Sequence, residues 1–161
     1  MTNSGESNFA FSGITRTRQS APDGYRVTEH RTLLGTGPGT RDRAMAEIMG
    51  WGVKTRAGFR VTDGAITPGA EFVISLGPIR EPVRVSWVAE NGFGYATLVG
   101  HPLSGEEAFV VEVDDRHNVW FVNRSVSRPD GGWRRLSPLL RIAQSFFVRR
   151  YGLVLKRAVS G

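Results

Sequence analysis

No cysteine occurs anywhere in the 161 residues, which excludes disulfides, thiolate catalysis and cysteine metal sites. No apolar run approaches the roughly 18 residues that a membrane-spanning helix needs. Met1 to Asn8 is polar, carries an acid, and lacks the basic start and apolar middle of a secretory leader. A cytoplasmic location is therefore the expectation. Acids are also missing from the end of the chain. Arg134, Arg135, Arg141, Arg149, Arg150, Lys156 and Arg157 follow Trp133 with no Asp or Glu among them, against a net charge of +6 for the whole chain. The excess basicity belongs to the C-terminal segment alone.

What is present suffices for one folded domain. The apolar fraction of 40% and the nine Phe, four Trp and three Tyr argue against disorder. The length suits a single domain over 1–161. Residues 1–22 read as a polar arm tied down by Phe9, Phe11 and Ile14. Tyr25 to Leu34 reads as a first strand, followed by a Gly35-Thr36-Gly37-Pro38-Gly39 turn. Thr40 is placed to cap a helix, and Ala44, Met45, Ile48 and Met49 recur at helical spacing up to Gly50–Gly52.

From Phe59 to Val126 the pattern changes to short alternating runs. Strands are expected at 59–62, 71–76, 83–89, 93–99, 107–113 and 119–126, broken by Gly, Pro, Asn or Asp. The connections are too short for helical crossovers, so the sheet should be a mostly antiparallel meander. Ser137 as N-cap and Pro138 in the first turn open a last helix over 138–157, roughly 30 Å long. Leu140, Ala143, Phe147, Val154 and Ala158 share one side, flanked by Leu139 and Tyr151, with the arginines opposite. The fold class is α+β: a curved antiparallel sheet of about six or seven strands wrapped around a long C-terminal helix, with a short helix after the first strand.

Hairpin pairing extends the reading to one sheet face. Closing 107–113 on 119–125 sets Val113 opposite Val119, Val111 opposite Phe121, Phe109 opposite Asn123 and Glu107 opposite Ser125. Closing 93–99 on 107–113 sets Thr97 opposite Phe109 and Tyr95 opposite Val111. Extension across an Asn91-Gly92 turn adds Val83, Val85, Trp87 and Ala89. That face is mostly apolar, with Thr97, Glu107, Asn123 and Ser125 at one end and His101 in the adjoining loop. The other face, with Arg84, Ser86, Glu112, Trp120 and Arg124, should be more solvated.

Glu107 is the sharpest candidate. A carboxylate on an apolar face is costly unless paired, and burial there suits a general acid or base, with His101 sharing its proton. The plainer alternative is a wet sheet end, or a carboxylate satisfied by Asn123 and Ser125. For His101 the plainer alternative is a loop histidine holding the backbone between Gly100 and Pro102. Asp114, Asp115 and His117 offer cation ligands in principle, but suit a polar hairpin turn better. The glycine turn at 35–39 has neither dinucleotide spacing nor a P-loop lysine. The C-terminal arginines suit a solvated helix face better than a nucleic-acid surface.

Taken together, several stretches resemble a known family, the uncharacterised proteins grouped as domain of unknown function nineteen-ninety. They are Phe9 to Arg16, Asp23 to Val27, Leu34 to Gly37, Arg43-Ala44, and most densely Gly92 to Pro102 with Ser104 to Phe109. Val119-Trp120-Phe121 and Ser127-Arg128-Pro129 follow. The resemblance implies a helix-grip fold like that of Bet v 1 and START-like lipid-transfer domains, with a cavity between sheet and helix. It also implies that the N-terminal arm belongs to the fold. It carries no activity, because the wider superfold hosts carriers, hydrolases, cyclases and co-chaperones. The chain departs from the family's longer apolar-aromatic stretch at the compact Leu76-Gly77-Pro78-Ile79-Arg80-Glu81-Pro82.

The expected function is binding of a small, largely apolar ligand. Trp87, Phe93, Tyr95, Phe109, Phe121, Leu140, Phe147 and Tyr151 would line the cavity, and Thr97, His101, Glu107 and Asn123 would orient a polar end. The alternatives are an enzyme using Glu107 and His101, and a basic module holding an anionic partner through Arg141, Arg149, Arg150 and Arg157. No cofactor and no metal site is expected.

Overall fold

The computed structural model describes residues 5–161; Met1 to Ser4 of the expected arm lie outside them. Seven antiparallel strands form one sheet in the order β1-β7-β6-β5-β4-β3-β2. They are β1 Arg26–Thr36, β2 Arg60–Val61, β3 Glu71–Leu76, β4 Ile79–Ala89, β5 Gly92–Thr97, β6 Leu103–Val113 and β7 Asn118–Pro129. The sheet curls around α2 (Gly37–Met49), α3 (Gly52–Arg56) and the long α4 (Ser137–Val159), which is the helix-grip arrangement. Among the described residues no helix is long and apolar enough to cross a membrane.

The β6–β7 hairpin has the expected register, with Phe109 opposite Asn123 and Glu107 opposite Ser125. The β5–β6 pair does not: Phe93 lies opposite Phe109, and Tyr95 opposite Glu107. The expected register was four residues out, because Leu103 to Glu106 is strand and the chain turns back within Leu98 to Pro102. An even slip leaves every side chain on its face, so the face assignment survived. The β4–β5 turn is Glu90-Asn91, not Asn91-Gly92, with Ala89 paired to Gly92.

Trp87 is corrected. A bulge between Val85 and Trp87 inserts one residue into β4 and reverses the alternation beyond it. Val85 stays in the main core while Trp87 turns to the opposite face. There its indole N–H donates to Thr15 Oγ1 at 3.0 Å. Gly94 lies directly beneath the indole, where any Cβ would collide with the ring.

The convex face is less solvated than its residues suggest. The arm and α1 (Ile14–Thr17) cover part of it, packing Phe9 and Ile14 on Ala96 and Val126. Glu106, which sequence reasoning passed over, is 2% exposed there. Its carboxylate accepts the N–H groups of Gly13 at 2.6 Å and Thr15 at 2.9 Å, and the Thr15 hydroxyl. Removing it strands buried donors. Glu106→Ala is expected to cost about 3 kcal/mol in urea denaturation and to expose the arm to limited proteolysis.

Two helix caps differ from expectation. Thr36, not Thr40, precedes α2, and the Thr40 hydroxyl bonds back to Thr36 O at 2.9 Å. Ser137 is the first residue of α4, which follows directly on a 3-10 turn, Gly131–Leu136. The inward side of α4 is also rotated from the expected one. Val148, Tyr151, Gly152, Leu155 and Val159 are buried, whereas Leu140 and Phe147 are half-buried and Ala143 is exposed. Gly152 permits this phase, because its bare Cα lies against Thr32 of β1. The C-terminal half of α4 therefore grips the sheet, and its N-terminal half stands off.

Candidate functional site

The gap under the N-terminal half of α4 is a cavity of about 160 Å³. Tyr95, Thr97, Glu107, Ser125 and Ser127 line it from the sheet. His101, Pro102 and Leu103 close one end, and Leu76, Ile79 and Glu81 of the β3–β4 hairpin form a side. Lys54 and Phe59 approach from α3 and its exit, and Leu140, Ala143, Gln144, Phe147 and Tyr151 from α4. The compact Leu76–Pro82 segment thus shapes the wall directly, with Gly77 at φ 54° in its turn.

Lys54 is the centre of the polar end. It is 3% exposed, placed by a five-residue helix that packs on α4. Its Nζ donates to the Tyr151 hydroxyl at 2.7 Å and lies 3.3 Å from Glu107 Oε1. It also sits over the rings of Tyr151, Phe59, Tyr95 and Phe109, 4.6 to 5.6 Å from their centroids. Tyr95 donates its hydroxyl proton to the same Glu107 oxygen at 3.3 Å.

Electrostatics holds these groups in defined states. Burial alone would lower the Lys54 pKa, but the carboxylates of Glu107 and, to a lesser degree, Glu81 raise it well above normal. Lys54 is a permanent ammonium. Burial pushes both tyrosine hydroxyls up, so they remain phenols. Burial also raises Glu81, Lys54 opposing and Glu107 adding to the shift. His101 is lowered to about 3, first by burial and then by Lys54, so it is neutral. Its Nδ1 accepts the Leu103 N–H at 2.9 Å, which places the proton on Nε2. The 4.0 Å approach of Nε2 to Glu81 is therefore not an ion pair at neutral pH.

Of the residues expected at the site, Tyr95, Thr97, His101, Glu107, Leu140, Phe147 and Tyr151 border the cavity. Glu107 lies on the concave face as expected, but Lys54 and Tyr95 satisfy it, not Asn123 and Ser125. Phe93, Phe121 and Asn123 do not reach the cavity. Trp51 of the α2–α3 junction packs against Phe93, and Phe121 is fully buried in the core. Asn123 is 1% exposed and donates to Ala108 O. Phe109 contributes its ring face to Lys54 rather than a cavity wall. Asp114 organises the Asp114–Asn118 turn by accepting the N–H groups of Arg116 and Asn118.

Sequence reasoning missed Lys54 and Glu81. One signal was present: Lys54 and Lys156 are the only lysines among 21 basic residues. A chain that uses arginine almost everywhere else marks its exceptions.

The chain has relatives of similar sequence and neighbours of similar fold. A family model described as "Domain of unknown function (DUF1990)" matches residues 10–153. A UPF0548 protein of Deinococcus radiodurans is 32% identical over 158 residues, covering 85% of this chain and 80% of that protein. One from Arabidopsis thaliana is 27% identical over 144 residues, covering 79% and 70%. Among solved structures, a hypothetical protein of Helicobacter pylori superposes with a TM-score of 0.60 at 10% identity. It covers 84% of this chain and 87% of that one, a likeness of fold alone. The match across nearly the whole chain, from the arm to α4, shows that this protein belongs to the DUF1990 family.

Proposed function

We propose that the cavity binds a small, mostly apolar molecule by a polar head that donates hydrogen bonds. The observation that carries this reading is the buried Lys54 ammonium, paired with the half-buried Glu107 carboxylate beside a preformed space. A buried ion pair is a poor source of stability, because desolvation offsets its attraction. A buried cation whose pKa is shifted by a specific partner in a cleft marks a candidate site.

Size and charge narrow the guest. A cavity of about 160 Å³ is close to the roughly 150 Å³ that accommodates a benzene-sized guest. It lies below the roughly 300–1,000 Å³ of drug-sized sites. The Lys54 ammonium is already engaged by Tyr151, Glu107 and aromatic faces. Two carboxylates, those of Glu107 and Glu81, dominate the polar capacity left over; the Ser127 hydroxyl already accepts from Gln144 and Ser125, and the His101 Nε2–H faces Glu81. An amine or alcohol head suits them, and a carboxylate head would meet two carboxylates.

Ligand-observed NMR with size-matched aryl amines, alcohols and carboxylates tests this. Amines and alcohols are expected to bind at least about tenfold more tightly than the matched acids, a gap of about 1.4 kcal/mol. The Glu107→Gln/Glu81→Gln double variant, which removes both carboxylates, should abolish the preference. Tighter binding of the acids, or no binding by any class, would end the reading. Proton transfer by Glu107 with His101 draws less support, because the His101 lone pair is already held by Leu103 N–H.

A further inference from the structure

We propose that the outer side of α4 docks on an anionic membrane surface. The inference stands apart from the cavity. It begins with apolar side chains that no described residue covers. Leu139, Ile142, Phe146 and Leu153 are 63%, 67%, 58% and 55% exposed. They recur near multiples of 3.5 residues, so they form one stripe along the solvent side of the helix, roughly 21 Å long. Isolated exposed leucines need no explanation, but a continuous ridge of four large side chains does.

The charges around the ridge identify what it meets. Arg149 and Arg150 border it beside Ile142, Phe146 and Leu153, and Arg157 lies one turn beyond Leu153. Residues 133–161 contain seven cations and no acid. A second copy seated on this ridge would bring cations against cations, and like charges across an interface are unfavourable. An anionic bilayer meets both features. Its headgroups attract the arginines, and the acyl boundary takes up a ridge that needs no matching groove. The helix is thus apolar on two sides, one side gripping the sheet and the other free for lipid.

Co-flotation of the full chain with vesicles tests the assignment. One set is phosphatidylcholine alone, and the other contains on the order of 30% phosphatidylserine, enough for a strong negative surface potential. Binding is expected only to the anionic vesicles, and it should weaken as salt shortens the screening length. Each of Arg149→Gln and Arg157→Gln should weaken it about fivefold, the value of one basic residue near such a surface. Ile142→Gln with Phe146→Gln should abolish it while leaving the thermal midpoint and circular dichroism unchanged, since both side chains are exposed. Equal binding to neutral vesicles, or none to anionic ones at low salt, would overturn the proposal. So would a dimer, seen by sedimentation velocity, that the Ile142/Phe146 variant dissolves, because the ridge would then belong to a second copy.

Discussion

Glu107→Ala should destabilise the fold by about 3–5 kcal/mol, the largest effect expected of any single substitution at the cavity. The ammonium of Lys54 cannot escape to water, being 3% exposed with its Nζ among four rings. Deleting its carboxylate partner leaves an uncompensated charge in the interior, with Glu81 a lesser source of compensation. Lys54→Met should cost less. The carboxylate it leaves behind is 19% exposed at its side chain and keeps the Tyr95 hydroxyl, so water can solvate it. The Lys54→Met/Glu107→Gln double variant removes both charges and should lie close to the wild type. Urea titrations of the three variants form a double-mutant cycle. If Glu107→Ala falls within about 0.5 kcal/mol of wild type, the pair is not held as described.

Acidification should produce the second large effect, through His101. Its folded pKa is lowered from 6.5 to about 3 by burial and by Lys54. Below 6.5 the unfolded chain binds a proton that the folded chain refuses. The stability from neutral His101 is therefore complete above pH 6.5 and is lost as pH falls toward 3, at about 1.4 kcal/mol per pH unit. Glu81 acts in the opposite sense. Its folded pKa is raised, chiefly by burial, so the folded state takes up a proton sooner than the unfolded one and gains stability on acidification. His101 faces Glu81, and Lys54 also acts on it. His101→Gln should flatten the stability profile between pH 6.5 and 4.5, and Glu81→Gln should steepen it. A His101→Gln profile parallel to wild type would show that His101 is not buried neutral.

The parts of the fold that were legible share one property: each is written in residues close together in the chain. The β6–β7 hairpin was readable because two alternating runs flank one polar turn, and a slip would have placed Val111 and Phe121 in water. Glu107 was readable as inward-facing for the same reason. Trp87 was misplaced because a bulge leaves no mark on the hydrophobic alternation it interrupts. The phase of α4 was misread because leucine and phenylalanine occupy both its sides, and the place of Gly152 against Thr32 decides which side turns in.

Lys54 lies beyond any such local rule. A lysine in a short polar helix has every reason to point outward, and it turns inward only because Glu107 and the rings of Tyr95, Phe109 and Tyr151 meet there from distant segments. Alternation, turns and charge clustering by themselves determined an α+β chain with a meandering sheet, a basic last helix and a carboxylate on the inner face. Tertiary structure alone decided that α4 lifts from the sheet at its N-terminal half, that Lys54 and Glu81 join Glu107 in the space beneath, and that a second apolar ridge remains outside. The physical reason is the range of the interactions. Backbone pairing and amphipathicity act between near neighbours in the chain, whereas a buried charge is stabilised only by partners that folding itself assembles.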